Sequence, residues 1–354
     1  MSDKKVTIVG AGPAGLTAAV ILKREGYEPI VYEAEKTYGG DPSWHPSVHG
    51  TPVNLDLLED YTGIDFSPVF HEVDVKKNYK YYYNLDEVQR PGFDFDKDFI
   101  FNVERGPREC SLDGFLYKMA CDMGIPVVFD SRWTKEDFEN AGPNTIIATG
   151  LDGRSYQERD VKSTPFFGYW TSQKCDPDLV SAATYEGDFT NEYAYACTAN
   201  GLWYCLLFAK GDVSRENLEK FGELMYKIDG RKVIPEDWAR FTGSTVRNPV
   251  FRDGNLTFTG TAAGMIEPAR GYGIVGALLS GRIAAWSITD PEKAQREYDR
   301  FMDPLKKHVA MKIRELKAGE KYVSASFMDH DDLWFDMPTI KSGVRDRDIQ
   351  DKQE

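Results

Sequence analysis

The stretch VTIVGAGPAGLTAAVILKREGYEPIVYEAE, residues 6–35, decides the fold. Residues 6–9 are all β-branched and three of them apolar, as suits a buried strand. Residues 15–24 read as a helix that ends at Glu25 and Gly26, and residues 29–33 as a second strand ending on an acid. Between the first strand and the helix lies G-x-G-x-x-G. Gly10 permits the tight turn, Gly12 lets backbone approach a pyrophosphate, and Gly15 lets helix and strand pack closely. The helix start, with Ala14 in its first turn, offers N–H groups and a positive dipole end to phosphates. Glu33 stands 18 residues beyond Gly15, placed to accept hydrogen bonds from a ribose diol and to disfavour a 2′-phosphate. The unit is a dinucleotide site; which dinucleotide depends on the rest of the chain.

With 354 residues the chain can bury a large core, and two interlocking domains are expected. A net charge of −14 leaves no excess cations to neutralise phosphates, which argues against nucleic-acid or anionic-membrane partners. No apolar run approaches the ~18–20 residues that cross a bilayer. The first strand starts within about five residues of Met1, so no signal peptide and a cytoplasmic location are expected. Cys110, Cys121, Cys175, Cys197 and Cys205 form no C-x-x-C pair and read as reduced thiols. The histidines form no H-x-x-x-H pair, and no metal site is expected.

Residues 39–100 leave the first βαβ unit: Gly39-Gly40-Asp41-Pro42, more prolines, His45 and His49, then tyrosine-rich stretches. A helix is expected over 111–123, opened by Ser111 as N-cap and closed by Gly124. IPVVFD (125–130) and NTIIATG (144–150) read as buried strands. Aromatic and β-branched residues dominate 164–205, which predicts a separate sheet. Helices are expected over 216–228, 273–286 and 291–316, with a strand at LTFTG, 256–260. Tyr169, Trp170 and Trp203 are candidates for a substrate wall; sheet packing explains any one of them, and together they suit a cavity for an apolar or planar molecule.

Three further segments choose FAD over NAD. The diglycine after the acid, with Gly40 approaching the cofactor, is similar to the pattern of FAD-dependent flavoproteins with two dinucleotide-binding domains. NTIIATG resembles their second FAD segment, where Ala148, Thr149 and Gly150 would let a strand end pass close to the cofactor. NLTFTGTAAGMIEPARGYGIVGALLSGRIAA (255–285) resembles the GDAAG…P…G.GI..A..SG..AA motif of the geranylgeranyl reductase and p-hydroxybenzoate hydroxylase branch. There Gly260, Thr261, Gly271, Gly273 and Ile274 would meet the flavin, and the helix start near Gly271–Gly273 could stabilise negative charge on its ring. Residues 101–130 match the same branch's R…LD..L…A…G stretch, which implies that Arg105 or Arg108 reaches the FAD phosphates. GLWYCLLFAKGD (201–212) is a weaker echo of the reductases' YxWxFPKGD strand. The resemblance covers roughly residues 1–290 and is specific for FAD, not for substrate.

The chain departs from that pattern. Thr261 stands where the motif has the aspartate that binds the ribityl chain, and ATGLDG replaces the hydroxylases' ADG. The halogenases' GWxWxIP pattern is not recognisable, and no second GxGxxG marks a separate nicotinamide domain.

The implied fold is α/β: a Rossmann-like FAD-binding domain, discontinuous over 1–45, 101–160 and 249–290, with an interleaved, mainly β-sheet substrate domain over 46–100 and 161–248. A C-terminal helical region, 291–335, and a polar tail, 336–354, follow. The expected activity is that of an FAD-dependent oxidoreductase, a reductase or dehydrogenase acting on an apolar or aromatic small molecule, with NAD(P)H a candidate electron donor. A monooxygenase using NAD(P)H and O2, a flavin-binding regulatory protein with little turnover, and a purely NAD-dependent dehydrogenase are the alternatives. Candidate acid–base groups are His45, with His49 near it, and Glu267; Arg270 could attract an anionic substrate group or pair with Glu267.

Overall fold

The computed structural model describes residues 4–43, 45–84, 86–89, 100–187, 193–209, 212–267 and 271–318. The end of the expected helical region and the polar tail, 319–354, lie outside them.

The opening stretch folds as read: strand Lys5–Val9, helix Pro13–Arg24 and strand Glu28–Tyr32. These strands pair in parallel within a six-stranded sheet. The strand order is Arg252–Asp253, Leu256–Phe258, Thr145–Ile147, Lys5–Val9, Glu28–Tyr32, Val127–Val128. Lys5–Val9 is flanked by the next strand on one side and by Thr145–Ile147 on the other. The connections therefore diverge at its C-terminal end, the switch point where open α/β sheets bind ligands. Residues 125–130 were expected as a buried strand. Only Val127–Val128 pairs, at the sheet edge, with Val128 41% exposed. Pro126 can accept a bond from the Val31 N–H but has no N–H to give, and Asp130 turns into left-handed backbone.

Three helices share a face of this sheet. Pro13–Arg24 packs against both Leu112–Asp122 and Ile274–Thr289. Ser111 caps the second as expected, its Oγ accepting from the Gly114 N–H at 3.0 Å. The third carries small residues where it crosses the first, and a Cβ on Gly281 would sit 2.7 Å from the Ala14 carbonyl oxygen and 2.8 Å from Thr17 Cβ. The long helix Pro291–Ala318 lies along the third helix, with Phe301, Met302 and Leu305 buried and Tyr298 stacked on Phe251 at 4.9 Å.

A second sheet has seven strands, ordered Ala239–Val246, Ser163–Lys174, Leu202–Ala209, Ala194–Ala199, Ala182–Glu186, Tyr79–Tyr83, Asp86–Glu87. Its two faces have different partners. Trp203, Cys205 and Leu207 share an apolar cluster with Leu218, Phe221 and Met225 of helix Arg215–Asp229. Tyr204, Leu206 and Cys197 share another with Val48, on the side of a three-stranded sheet. That small sheet, Ser47–Thr51, Phe101–Arg105 and Phe70–Glu72, lies against the second sheet.

The helix crossing at Gly281 is testable. Neither the Ala14 carbonyl nor buried Thr17 can move aside without shifting a helix. Gly281→Val should destabilise the protein by about 1–3 kcal/mol, seen as a lower urea midpoint; an unchanged midpoint would contradict this packing.

Candidate functional site

The glycine turn has one open position. A Cβ on Gly10 would collide with the Ala148 carbonyl, and one on Gly15 with the Gly10 carbonyl oxygen, whereas nothing lies within 4 Å of a Cβ on Gly12. Gly10 has φ +109°, and its N–H donates to the Tyr32 carbonyl at 2.7 Å. The Ala148 N–H donates to the Val9 carbonyl at 2.7 Å, which fixes the second glycine-containing segment beside the first. Helix Pro13–Arg24 starts at Gly12 with no side-chain cap and no acid in its first turn. Its positive end is left to whatever lies in front of it.

Glu33 sits at the lip of this turn. Its carboxylate accepts from the Ala11 N–H at 2.7 Å and the Glu35 N–H at 2.9 Å. Burial raises its pKa above 4.5, opposed by those two backbone bonds. Arg132, not singled out from sequence, bridges Glu35 and Asp152. Asp152 caps the short helix Gly153–Glu158 just after Gly150, where a Cβ would again meet open space. Thr149 Oγ1 accepts from Ser155 Oγ at 3.0 Å.

The third segment closes on the same turn. Gly260, at φ +62°, places its Cβ position 3.2 Å from Ala14 Cβ, and its N–H donates to Ser280 Oγ at 2.7 Å. Thr261 is buried, its Oγ1 3.9 Å from the Cβ position of Gly273. Helix Ile274–Thr289 starts at Gly273, also without a side-chain cap or an early acid. Glu267 is buried; its N–H donates to the Tyr272 carbonyl and its carbonyl accepts from the Gly271 N–H, both at 2.9 Å. Arg270 lies outside the described residues.

The two arginines are held by neighbouring acids. Arg105 grips buried Asp113 with two bonds, Nε–Oδ2 at 2.7 Å and Nη2–Oδ1 at 2.9 Å. Arg108 pairs with buried Glu104 at 3.3 Å and donates to the Asn200 carbonyl at 2.9 Å. The Asn200 side chain in turn donates to Glu104 at 2.9 Å, which ties the small sheet to the second sheet.

Beside Arg105, the diglycine loop leads into a row of polar side chains. Gly39 packs on the Gly106–Pro107 backbone, and the imidazole of His45 lies against Gly40, with Nε2 3.1 Å from its Cβ position. His45 Nδ1 bonds Ser47 Oγ at 2.9 Å, Ser47 Oγ bonds His49 Nε2 at 2.8 Å, and His49 Nδ1 bonds the Tyr195 hydroxyl at 2.8 Å. Burial, with Arg105 adding to it, holds His45 well below 6.5. The same causes and His45 itself bring His49 down to about 3, against a smaller opposing effect of Asp113. Both rings are neutral at physiological pH.

The aromatic candidates divide between the two faces. Trp170 donates its Nε1–H to the Ser43 carbonyl at 3.0 Å and stacks on Tyr204, 5.7 Å between centroids. Tyr169 and Trp203 belong to the opposite face, against helix Arg215–Asp229, and the Arg231 guanidinium lies over Trp203. Strand alternation decides this, since neighbouring residues point to opposite sides. On the Trp170 side stand Tyr204, Tyr195 and Phe208, the last two not singled out from sequence. Phe208 Cζ comes within 3.7 Å of the Gly271 Cβ position, so this aromatic face adjoins the third glycine segment.

Comparison with known proteins agrees with this architecture. Residues 8–56 match the family model of the NAD(P)-binding Rossmann-like domain. A flavin-containing monooxygenase of Arabidopsis thaliana, FMO GS-OX3, is 41% identical over 56 residues, 16% of this chain and 12% of that enzyme. The chain thus matches only a small part of this relative's length. The fold as a whole is shared with solved structures. A geranylgeranyl bacteriochlorophyll reductase-like protein from Thermoplasma acidophilum superposes with TM-score 0.56 and 17% identity, over 99% of this chain and 96% of that one. A mutant of 2-methyl-3-hydroxypyridine-5-carboxylic acid oxygenase gives TM-score 0.65 and 15% identity, over 96% and 99%. The chain therefore shares the overall fold of these structures, with a Rossmann-like domain at its start.

The buried histidines imply a pH dependence of stability. A histidine whose folded pKa lies below its unfolded value binds a proton more readily when unfolded, so stability falls as pH drops below about 6.5 and continues to fall toward about 3. Glu33, raised above 4.5, works in the opposite sense. Unfolding free energies from urea titration should decrease between pH 7 and pH 5.5, by up to about 1.4 kcal/mol per pH unit for His49. His49→Gln should flatten that slope; an equal slope in both proteins would contradict the neutral, buried ring.

Proposed function

We propose that the protein is an FAD-dependent oxidoreductase, a reductase or dehydrogenase acting on an apolar or aromatic small molecule. The observation that carries this reading is open Gly12, set between two glycines jammed against backbone and in front of an uncapped helix. A turn needing glycine only for its own geometry has no use for clear space at that position.

The residues fit the cofactor along its whole length. The N–H groups after Gly12 would receive the pyrophosphate, and Glu33, at the end of the second strand, would receive the adenosine ribose. Open backbone at Gly150, the buried hydroxyl of Thr261 and the uncapped start at Gly273 would follow the ribityl chain to the flavin ring. Arg105 and Arg108 would act by holding the small sheet in place, since Asp113 and Glu104 engage them. When bound, FAD supplies the hydride- or oxygen-handling ring. The chain's own part is to aim the ring and exclude water from it, with the face bearing Trp170, Tyr195 and Phe208 as the substrate wall. The proposed division is a cofactor domain from 1–45, 101–160 and 249–290 around a substrate domain.

A second reading, oxygen-using monooxygenation with NAD(P)H as electron donor, is favoured by the likeness to an oxygenase at TM-score 0.65. The five cysteines form no disulfide, which supports a reducing compartment, the cytoplasm. Among the described residues no helix is long and apolar enough to cross a membrane.

Purified protein, as isolated or reconstituted with FAD, should show the visible absorption bands of oxidised flavin. Gly12→Val should keep the thermal midpoint, because φ −80°, ψ −178° suits any residue, while weakening FAD binding roughly tenfold or more. A colourless protein that takes up no FAD would contradict the proposal. Oxygen uptake matched to NAD(P)H consumption would select the second reading, and turnover without oxygen the first.

A further inference from the structure

We propose that His45, Ser47, His49 and Tyr195 form one hydrogen-bonded proton relay, running from the diglycine loop to the aromatic face of the second sheet. The inference rests on the reading of that face as the substrate wall, and it adds a route by which a proton reaches it.

The geometry is continuous. Three contacts of 2.9, 2.8 and 2.8 Å join four side chains from the diglycine loop, the small sheet and the second sheet, and His49 bonds through both of its ring nitrogens. At one end, His45 Nε2 lies at Gly40, and residues 41–43 of the same loop are exposed to water. At the other, the Tyr195 hydroxyl belongs to a ring packed 6.3 Å from Phe208 and 6.4 Å from Tyr193 and Tyr204. Ser47 is fully buried and His45 nearly so, which shields the row from bulk water.

Each member can both donate and accept one proton, so the row has two complete arrangements. In one, His45 Nδ1–H donates to Ser47, Ser47 O–H to His49 Nε2, and His49 Nδ1–H to the Tyr195 oxygen, whose own proton points at the aromatic face. When that proton leaves to a substrate group, Tyr195 takes the His49 proton, His49 takes that of Ser47, and Ser47 takes that of His45. His45 Nε2 then collects one proton from water. One proton enters, one leaves, and every bond in the row has reversed direction. No member carries charge before or after, which matters because Arg105 and burial together penalise a charged imidazole here. Burial likewise holds the Tyr195 hydroxyl far above 10, with Tyr204, Cys197, Tyr193 and Cys205 adding to the effect, so the phenol serves as a neutral relay.

The test uses histidine-ring 15N NMR on the full chain without cofactor, so it reads the relay whether or not FAD binds. Tyr195→Phe should shift the ring nitrogens of His49 and also those of His45, which lies two links away. In a Ser47→Ala background the same change should shift His49 alone; Ser47→Thr, which keeps the hydroxyl, should restore the response at His45. His71, outside the row, should stay unmoved throughout. An unmoved His45 in Tyr195→Phe would overturn the proposal. So would an equal response of His45 with and without the Ser47 hydroxyl. Visible absorption of the FAD-loaded protein is recorded alongside: unaltered FAD uptake in Ser47→Ala is expected, and loss of uptake would instead assign the row to holding the diglycine loop. Failure of the wild-type protein to take up FAD would count against the oxidoreductase reading and leave the NMR result to decide the relay.

Discussion

Everything about the site depends on backbone touching backbone at Gly10, Gly15 and Ala148. No side chain fits at either glycine, because the Ala148 carbonyl fills one position and the Gly10 carbonyl the other. Strand, turn and helix are locked together there. Interiors packed this tightly transmit position rather than absorb it. The lock fixes where the first helix starts, and Gly281 and Gly260 then bring the third segment against Ala14. Three stretches far apart in sequence are thereby delivered to one end of one sheet. Gly12, at the centre, is left clear.

Much of this was legible in the sequence because short-range chemistry specifies it. The βαβ unit, the Ser111 cap and the helix over residues 274–289 rest on turn glycines, a capping side chain and small-residue spacing, all local signals. The expected strand over 125–130 shrinks to Val127–Val128, because a run of apolar residues looks alike at the centre and at the edge of a sheet. Pro126 was the available warning. Strand alternation puts residues 169 and 170 on different faces, so Tyr169 and Trp203 do not share one wall with Trp170. The spacing of His45, Ser47 and His49, every second residue, was a visible hint that they share a side. Their link to Tyr195, 146 residues beyond His49, could come only from the fold.

The small three-stranded sheet has more consequence than its size suggests. It holds Arg105 on Asp113 and Arg108 on Glu104, and it carries Ser47 and His49. Arg105 ties the small sheet to helix Leu112–Asp122 through buried Asp113, while Arg108 and Glu104 reach the second sheet through Asn200. Burial of the histidine row, with the fixed positive charge of Arg105 adding to it, holds both rings below the usual histidine range. Cofactor turn, ion pairs and aromatic face thus meet around one loop, that of Gly39 and Gly40.

The most direct test of the central claim is a crystal structure of the protein with FAD. The account expects the pyrophosphate at the amides following Gly12, the adenosine ribose at Glu33, and the flavin ring between Gly271–Ile274 and the face bearing Trp170, Tyr195 and Phe208. FAD bound elsewhere, or a ring directed toward Tyr169 and Trp203, would contradict it.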